Sequence, residues 1–149
     1  MQIVTYQHQY KQSFIDLNLA WLNKYFVVEP QDTEMLEGVE DLIKNGAEVY
    51  FAVEDNTAIA TCMILPRGNG VWEICKLATD EKYQGKGAGQ AVLQSCMNYA
   101  KNKGAQKIMI VSNRVLGAAM HLYAKMGFVE VPIDNMEYDR VNIQLELKV

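Results

Sequence analysis

The sequence predicts an α/β fold with an α+β mixed sheet: a mostly antiparallel N-terminal meander followed by a central parallel β-α-β unit. Three observations predict it. Three β-rich runs separated by turns lie between residues 49 and 78. A glycine-rich turn then leads into an amphipathic helix that ends near Gly104. A short, largely apolar run at residues 107–111 follows, as expected of a buried strand parallel to the strand before the helix.

The size and composition are those of one globular domain. The chain has 149 residues, of which half are apolar and 21% are charged. Because this length is enough to bury a core, we expect residues 1–149 to form a single domain. No apolar run approaches the roughly 20 residues of a membrane span, and no basic-then-apolar signal segment opens the chain. We therefore expect a cytoplasmic protein without a membrane partner.

The three cysteines are predicted to be reduced core thiols. Cys62, Cys75 and Cys96 are odd in number, widely spaced and set among apolar neighbours. The sequence contains no Cys-x-x-Cys motif and no cluster of histidines, since its two histidines, His8 and His121, are far apart. We therefore expect no metal site.

The first 46 residues are predicted to form one short strand and two helices. Residues 2–6 favour a strand, and residues 9–24 place large apolar side chains at roughly helical spacing. A second helix begins at Pro30, because proline is tolerated in a first helical turn and the acid Asp32 favours a helix N-terminus. The pattern continues as one helix to Asn45 and Gly46.

The following strands are predicted to form an antiparallel meander. The three runs are residues 49–53, 58–65 and 71–78. The Glu-Asp-Asn-Thr segment at residues 54–57 is a hairpin signal, and the proline and glycines at residues 66–70 mark a second turn. The first two connections are therefore tight turns between neighbouring strands.

The C-terminal part is predicted to add one helix and two strands. A short helix over residues 115–126 ends at Gly127, and residues 128–131 begin a strand. In the last strand apolar side chains alternate with Asn142, Gln144 and Glu146, which predicts one wet face. These apolar side chains are Val141, Ile143, Leu145 and Leu147. Together the elements predict a mixed sheet with helices on both faces.

The chain is organised around the glycine-rich turn Gln84-Gly85-Lys86-Gly87-Ala88-Gly89. Glycine allows backbone N–H groups to approach a ligand closely, and the first turn of a helix leaves several of these donors unpaired. Aligned peptide dipoles add partial positive charge at the same point. The turn therefore suits a phosphate group.

Charge is unevenly distributed along a chain whose net charge is −4. Residues 82–129 contain seven Lys or Arg and no Asp or Glu, whereas residues 29–55 contain nine acids and the single base Lys44. The basic block, which surrounds the glycine turn, suits a polyanionic cofactor. The acidic block suits a cationic partner or is a solvated face, and both interpretations stay open.

Two other phosphate-binding turns fit the spacing poorly. A dinucleotide-binding turn has Gly-x-Gly-x-x-Gly and an acid about 20 residues later. Here the glycines alternate, and no acid follows until Glu130. A Walker-type loop ends in Gly-Lys-Ser or Gly-Lys-Thr, which the sequence lacks at this turn.

Two separated motifs resemble the GNAT family of N-acetyltransferases. Residues 84–89 have the Gln-x-x-Gly-x-Gly spacing of the family's acyl-CoA-binding motif, and residues 122–128 resemble its Leu-Tyr-x-x-x-Gly-Phe ending. The order of elements also resembles the family's. The resemblance implies a GNAT-like fold whose β-α-β unit binds acyl-CoA. It also implies transfer of an acetyl group from acetyl-CoA to an amine by direct attack in a ternary complex.

The resemblance assigns residues to the cofactor. Backbone amides of residues 85–89 would hold the pyrophosphate, and the strand backbone at residues 77–79 would pair with the pantetheine as an added strand. The family often places an asparagine seven residues before the motif tyrosine; this position is Leu116 here, so Asn113 is the candidate substitute. The implied cofactor-binding residues are Leu77, Ala78, Thr79, Gln84, Gly85, Lys86, Gly87, Ala88, Gly89 and Asn113.

The resemblance also implies two catalytic residues, Glu73 and Tyr123. A lysine-like amine has a pKa of about 10.4 and arrives protonated, so the reaction needs a base. Glu73 stands eleven residues before Gln84, which is similar to the spacing of the general-base glutamate in the family's histone-type branch. Burial on one strand face with Cys75 and Leu77 would make Glu73 a stronger base. Tyr123 would protonate the departing CoA thiolate. The alternatives are a solvated Glu73 and a Tyr123 that merely packs.

The acceptor is expected to be a small-molecule amine or a protein amine. It would be cationic if the acidic block lines the acceptor side of the site. We expect no nucleic-acid partner, and a homodimer stays open. Two non-catalytic interpretations also stay open, namely an acyl-CoA-binding sensor and an interaction module on the same fold.

Overall fold

Residues 1–134 and 138–149, which the computed structural model describes, form a seven-stranded sheet with helices on both faces. The strands are β1 (Gln2–Thr5), β2 (Glu48–Glu54), β3 (Thr57–Gly68), β4 (Val71–Thr79), β5 (Lys107–Ser112), β6 (Val129–Val131) and β7 (Ile143–Lys148). The α-helices are α1 (Lys11–Tyr25), α2 (Pro30–Glu37), α3 (Val39–Lys44), α4 (Ala88–Asn102) and α5 (Gly117–Lys125). Short 3-10 helices lie at His8–Tyr10 and Glu81–Tyr83.

The sheet is antiparallel except for one pair of strands. Its order is β1-β2-β3-β4-β5-β7-β6, and β4 pairs with β5 in parallel through the crossover helix α4. The hairpin between β2 and β3 turns at Asp55 and Asn56, whose positive φ angles of 49° and 60° suit a tight hairpin turn. The predicted antiparallel meander with a central parallel β-α-β unit is confirmed.

An apolar core lies on each face of the sheet. On the face covered by α4 and α5, the core contains Ile64, Ile74, Val92, Leu93, Ile108 and Ile110. On the face covered by the N-terminal helices, it contains Phe14, Leu36, Val39, Val49, Phe51 and Met63. Within the described ranges, no helix is both long enough and apolar enough to cross a lipid bilayer.

The predicted single helix from Pro30 to Asn45 is wrong, because it is broken at Gly38. α2 ends and α3 begins around this residue, whose φ and ψ are −90° and 18°. A Cβ at Gly38 would lie 2.8 Å from the Glu34 carbonyl oxygen. A side chain at residue 38 would therefore press on the last turn of α2, and a glycine avoids this contact.

Two strand predictions also differ from the structure. β3 continues to Gly68, so the second turn is shorter than residues 66–70. β7 begins at Ile143, and Gln144 is buried instead of lying on a wet face. The Asp134 backbone N–H donates to the Gln144 side-chain oxygen at 2.9 Å. The segment before the strand therefore covers a position that the alternating pattern assigns to solvent.

β4 contains a β-bulge at Lys76. Between Cys75 and Ala78 its register with β3 slips by one residue, and Lys76 accommodates the extra residue at a φ of 55°. This left-handed conformation costs about 1–2 kcal/mol for a residue with a side chain. The bulge reverses the alternation of side chains between the two faces of the sheet. Cys75 packs with the core beneath α1–α3, whereas Leu77 packs with the core beneath α4. The expectation that Leu77 shares a face with Glu73 and Cys75 is wrong.

A buried ionic cluster connects the bulge to two distant segments. Asp32 in α2 has no exposed surface, and its Oδ1 accepts a hydrogen bond from Lys76 Nζ at 2.8 Å. Arg140 donates to both Asp32 oxygens, from Nη1 at 2.8 Å and Nη2 at 2.5 Å. The Glu29 backbone N–H donates to Asp32 Oδ2 at 2.9 Å. One carboxylate therefore joins α2, β4 and the segment that precedes β7.

These contacts keep Asp32 ionised. Burial alone would raise the pKa of Asp32, but hydrogen bonds from Arg140, Lys76 and the Glu29 backbone lower the pKa from 3.8 to about 2. A carboxyl group whose pKa is lower in the folded chain than in the unfolded chain stabilises the fold. This stabilisation is complete at pH values above the pKa that the group has in the unfolded chain. That stabilisation is lost as the pH falls from about 4 towards 2.

We expect Asp32→Asn to lower the free energy of unfolding at pH 7 by about 3–5 kcal/mol, because two buried cations lose their shared charge partner. The difference between wild type and variant should shrink between pH 4 and pH 2.5, measured by urea unfolding. Glu40→Gln is the matched control: hydrogen bonds from His8 and Lys11 lower the pKa of Glu40 to about 2, but the Glu40 side chain is 42% exposed. A loss in the control as large as in Asp32→Asn would contradict a special role for the buried cluster.

Candidate active site

A cleft opens where β4 and β5 diverge. The two strands pair only from Val71–Lys107 to Glu73–Met109. Beyond Glu73, the edge of β4 that faces β5 has no strand partner in the described part of the chain. The cleft is partly open to solvent and is lined by β4, β5 and α5, with further side chains from the N-terminal helices. It therefore offers a free backbone edge to an extended ligand.

The glycine turn lies between β4 and α4. Gly85 and Gly87 have φ angles of 81° and 83°, and Gly87 caps the N-terminus of α4 in the left-handed conformation. Gln84 and Lys86 are exposed, whereas Ala88 is buried under the helix. Among the described residues, no backbone N–H from position 85 to 89 has a hydrogen-bond partner. These unpaired donors and the helix dipole give the turn the chemistry that suits an anion.

Gly89 brings the two sequence motifs together. A Cβ at this position would lie 3.1 Å from Thr79 Oγ1 and 3.9 Å from Leu122 Cδ2. Thr79 is the last residue of β4, and Leu122 precedes Tyr123 in α5. The start of α4 therefore packs directly against both elements that line the cleft.

Tyr123 lies in the cleft wall and is 5% exposed. Its ring packs against Phe128 with the centroids 6.2 Å apart. In the described part of the chain its hydroxyl has no hydrogen-bond partner. Burial raises the pKa of Tyr123 above its ordinary value of 10.0, with smaller contributions from the nearby thiols Cys62 and Cys75. The hydroxyl therefore keeps its proton throughout the neutral range and can donate it.

Glu73 lines the same cleft and is 2% exposed. Arg67, on β3, forms an ion pair with the Glu73 carboxylate and donates from Nε at 2.6 Å. The sequence predicted a base strengthened by desolvation, but this guanidinium opposes that effect because it stabilises the ionised carboxylate. The Glu73 carboxylate therefore lies in the cleft wall with a cationic partner at its side.

The remaining predicted cofactor residues border the cleft or its entrance. Residues 77–79 lie on β4 beyond the bulge, where the strand still pairs with β3 on its other edge. Asn113 follows β5 and lines the cleft, but its side chain also makes local bonds. Asn113 Nδ2 donates to the Arg140 carbonyl at 2.7 Å, and Oδ1 accepts from the Val115 backbone N–H at 2.9 Å. Leu116 lies beside it in the cleft lining.

Burial favours the protonated thiol at two of the three cysteines, Cys75 and Cys96. All three cysteines are free; Cys62 and Cys96 are buried, and Cys75 lines the cleft. Burial raises the pKa of Cys75 and of Cys96 well above 9.0. Because the thiolate is the nucleophile, Cys75 does not compete for an acyl group at neutral pH.

The structure places two unpredicted cations in the cleft lining, Lys76 and Arg140. Of residues 29–55, only Met35 lines the cleft within the described ranges, so none of the nine acids does. Asp32 lies behind Lys76 and Arg140 and is neutralised by them. The acidic block therefore does not support a cationic acceptor. In the sequence, Asp32 was interpreted only as an acid near a helix N-terminus. No pattern in the neighbouring residues predicts that it is buried or which cations it contacts.

Metal-ligating side chains do not cluster at the cleft. Among residues 1–134 and 138–149, no group of three or more His, Cys, Asp or Glu side chains is arranged to hold a metal ion.

The sequence is similar to that of known acetyltransferases. Residues 15–128 match the family model described as Acetyltransferase (GNAT) family. The uncharacterized N-acetyltransferase YobR of Bacillus subtilis (strain 168) is 26% identical over 124 residues, which are 80% of this chain and 48% of YobR. The chain thus spans about half the length of this curated relative.

Solved structures share the whole fold. The GNAT-family acetyltransferase of Staphylococcus aureus Mu50 has a TM-score of 0.89 and 18% identity, covering 99% of this chain and 98% of its own. The PaiA N-acetyltransferase of Thermoplasma acidophilum, solved in complex with coenzyme A, has a TM-score of 0.77 and 17% identity over 100% of both chains. The similarity to these two structures shows that this chain has the same fold.

The family match agrees with the geometry of the cleft. The two motifs that resemble the family in sequence lie in contact through Gly89 and Leu122, at the side of one cleft between β4 and β5. The matched region covers more than half of the chain and includes both motifs. The chain therefore belongs to the GNAT family of acetyltransferases.

Proposed function

We propose that residues 1–149 form a single N-acetyltransferase domain that transfers an acetyl group from acetyl-CoA to a primary amine in a ternary complex. The observation that carries the proposal is the open edge of β4 in a cleft that also contains Tyr123. The unpaired donors of residues 85–89 lie next to this edge, in contact with Thr79 through Gly89. The coenzyme A bound to PaiA supports CoA as the donor carrier.

The chain offers each part of CoA a group of matching chemistry. Backbone donors of the turn hold the pyrophosphate, with Gln84 as its first residue and the exposed Lys86 ammonium close by. The free edge of residues 77–79 pairs with the amide groups of the pantetheine, as an added strand would. Asn113 and Leu116 form the opposite wall, and the second Nδ2 hydrogen of Asn113 is available to the pantetheine.

Tyr123 and Glu73 are the proposed acid and base. The amine nitrogen forms a bond to the acetyl carbon, and the carbon–sulfur bond breaks. Tyr123 gives its proton to the departing thiolate, and its raised pKa ensures that it holds that proton beforehand. Glu73 accepts the ammonium proton of the incoming amine, directly or through water. A backbone N–H of β4 beyond the bulge polarises the thioester carbonyl.

We expect Gly87→Glu to abolish CoA binding, because it places a side chain and a negative charge where the phosphate lies. Gly104→Glu is the matched control: its φ of 84° is nearly the same as that of Gly87, and a Cβ meets nothing within 4 Å at either position. Both variants bear the same backbone strain and the same added charge, but Gly104 lies at the opposite end of α4. Calorimetric titration with CoA measures the effect. Equal CoA affinity in the two folded variants would contradict the proposed phosphate site.

We expect Tyr123→Phe to lower kcat by about 10²–10⁴-fold with little change in CoA affinity, because the lost proton matters mainly when the thiolate leaves. Tyr50→Phe, which removes a partly buried hydroxyl outside the cleft lining, should keep the wild-type rate. In the wild type, ionisation of Tyr123 should cause no loss of kcat up to about pH 10, since burial raises its pKa. A wild-type rate in Tyr123→Phe would rule out Tyr123 as the acid.

We expect Glu73→Gln to lower turnover at neutral pH and to recover part of it at high pH, where the amine is already deprotonated. Glu146→Gln removes a carboxylate from an ion pair on the neighbouring part of the sheet, with Lys107, and is the control. The profile of kcat/KM against pH distinguishes the two. If Glu73→Gln keeps the shape of the wild-type profile, the base lies elsewhere.

A further inference from the structure

We propose that the acceptor amine carries a carboxylate group and that Arg140 binds it. This inference rests on the proposed acetyl transfer and specifies its second substrate. It starts from a cation in the cleft lining whose hydrogen-bonding capacity is only partly used. Arg140 is therefore a specificity-determining residue for the acceptor.

Arg140 is held in one orientation by its neighbours. Two of its N–H groups bind the two oxygens of Asp32, and Nη1 also lies 3.4 Å from Glu29 Oε2. Its guanidinium stacks on the Tyr138 ring at 4.1 Å, with the Phe26 ring 5.7 Å away. A guanidinium fixed in this way loses little further conformational entropy when it binds a ligand.

One edge of this guanidinium is available. A guanidinium has five N–H donors, and Nε–H and the second Nη2–H of Arg140 have no partner among the described residues. These two donors are adjacent and parallel, the arrangement that binds both oxygens of a carboxylate. Asp32 is fully buried, so it holds the edge that faces away from solvent. The Arg140 side chain is 11% exposed and lines the cleft, and we infer that a ligand there meets the other edge.

The charges around the cleft balance, so an anion at this position meets no unpaired negative charge among the described residues. The charged side chains that line it, within the described residues, are Lys76, Arg140 and Glu73. Glu73 is neutralised by Arg67, and Lys76 and Arg140 share Asp32. Glu29 is the second anion near Arg140, but it lies outside the cleft lining and is only partly buried. A ligand carboxylate would therefore meet a paired cation whose free donors still need an acceptor.

The walls around Arg140 indicate the rest of the acceptor. Trp21, Phe26 and Met35 line the same part of the cleft as Arg140 and Tyr138. Aromatic and thioether side chains favour an apolar body. The acceptor class that matches these contacts is an amino acid with an apolar side chain, with the amine directed to the acetyl group.

The experiment compares apolar L-amino acids with their carboxamides as acceptors, each corrected for its fraction of free amine. We expect the wild type to prefer the carboxylate, and Arg140→Gln to lower kcat/KM for it by about 10–100-fold, as the loss of charge-assisted hydrogen bonds predicts. The same variant should lower kcat/KM for the carboxamide by a smaller factor, because loss of the contact with Asp32 affects both acceptors and only the carboxylate also loses its own partner. The KM for acetyl-CoA should stay unchanged. Arg140→Lys keeps the positive charge but lacks the two parallel N–H donors of a guanidinium. Its kcat/KM for the carboxylate acceptor should therefore lie between those of the wild type and Arg140→Gln.

Arg114→Gln is the matched control, because Arg114 is an exposed arginine paired with Glu130 outside the cleft lining. It should leave the preference for the carboxylate intact. A wild-type preference for carboxamides or for spermidine would overturn the inference while leaving acetyl transfer established. An equal loss with both acceptors in Arg140→Gln would also overturn it, because Arg140 would then be only structural. Failure to acetylate any amine would refute the proposed function as well.

Discussion

The geometry of the cleft depends on one buried carboxylate, that of Asp32. Burying an ion costs several kcal/mol, and the cost is offset only where partners satisfy all its acceptor positions. Asp32 meets this condition with Lys76, Arg140 and the Glu29 backbone N–H. Lys76 is the residue at the β4 bulge, and Arg140 precedes the last strand. The carboxylate therefore fixes, from a single point, both the strand that carries the open edge and the segment beside the cleft.

The bulge that Asp32 supports has two consequences for the site. It reverses the side-chain alternation of β4, so that Glu73 and Leu77 lie on opposite faces although they are four residues apart. It also accompanies the divergence of β4 from β5, which leaves backbone groups of β4 without a strand partner in the described part of the sheet. Unpaired backbone groups are costly when buried, but here they line an open cleft that a ligand can fill. Strain at Lys76 is thus stored where the fold exposes its binding edge.

The sequence predicted the elements whose signals are local. Alternating glycines before an amphipathic helix predicted a turn with unpaired backbone donors, and the Asp-Asn hairpin and the apolar run at β5 predicted the central strands. It missed what depends on contacts between distant segments. Gln144 is buried where Asp134 contacts its side chain, and Lys76 bulges towards an aspartate 44 positions earlier. Neither of these has a periodic or compositional signal of its own.

The charged residues also show that neighbours in the sequence need not point to the same place in the structure. The basic block was interpreted from its position around the glycine turn, and its peptide donors and the exposed Lys86 do lie together at the start of α4. The acidic block was interpreted in the same way, but its members point elsewhere: Asp32 turns inward to two cations, and Glu40 turns to His8 and Lys11. A run of like charges describes a site only when the backbone directs its members to one place. At the glycine turn the backbone itself supplies the donors, and for this reason the interpretation from sequence was more secure there than in the acidic block.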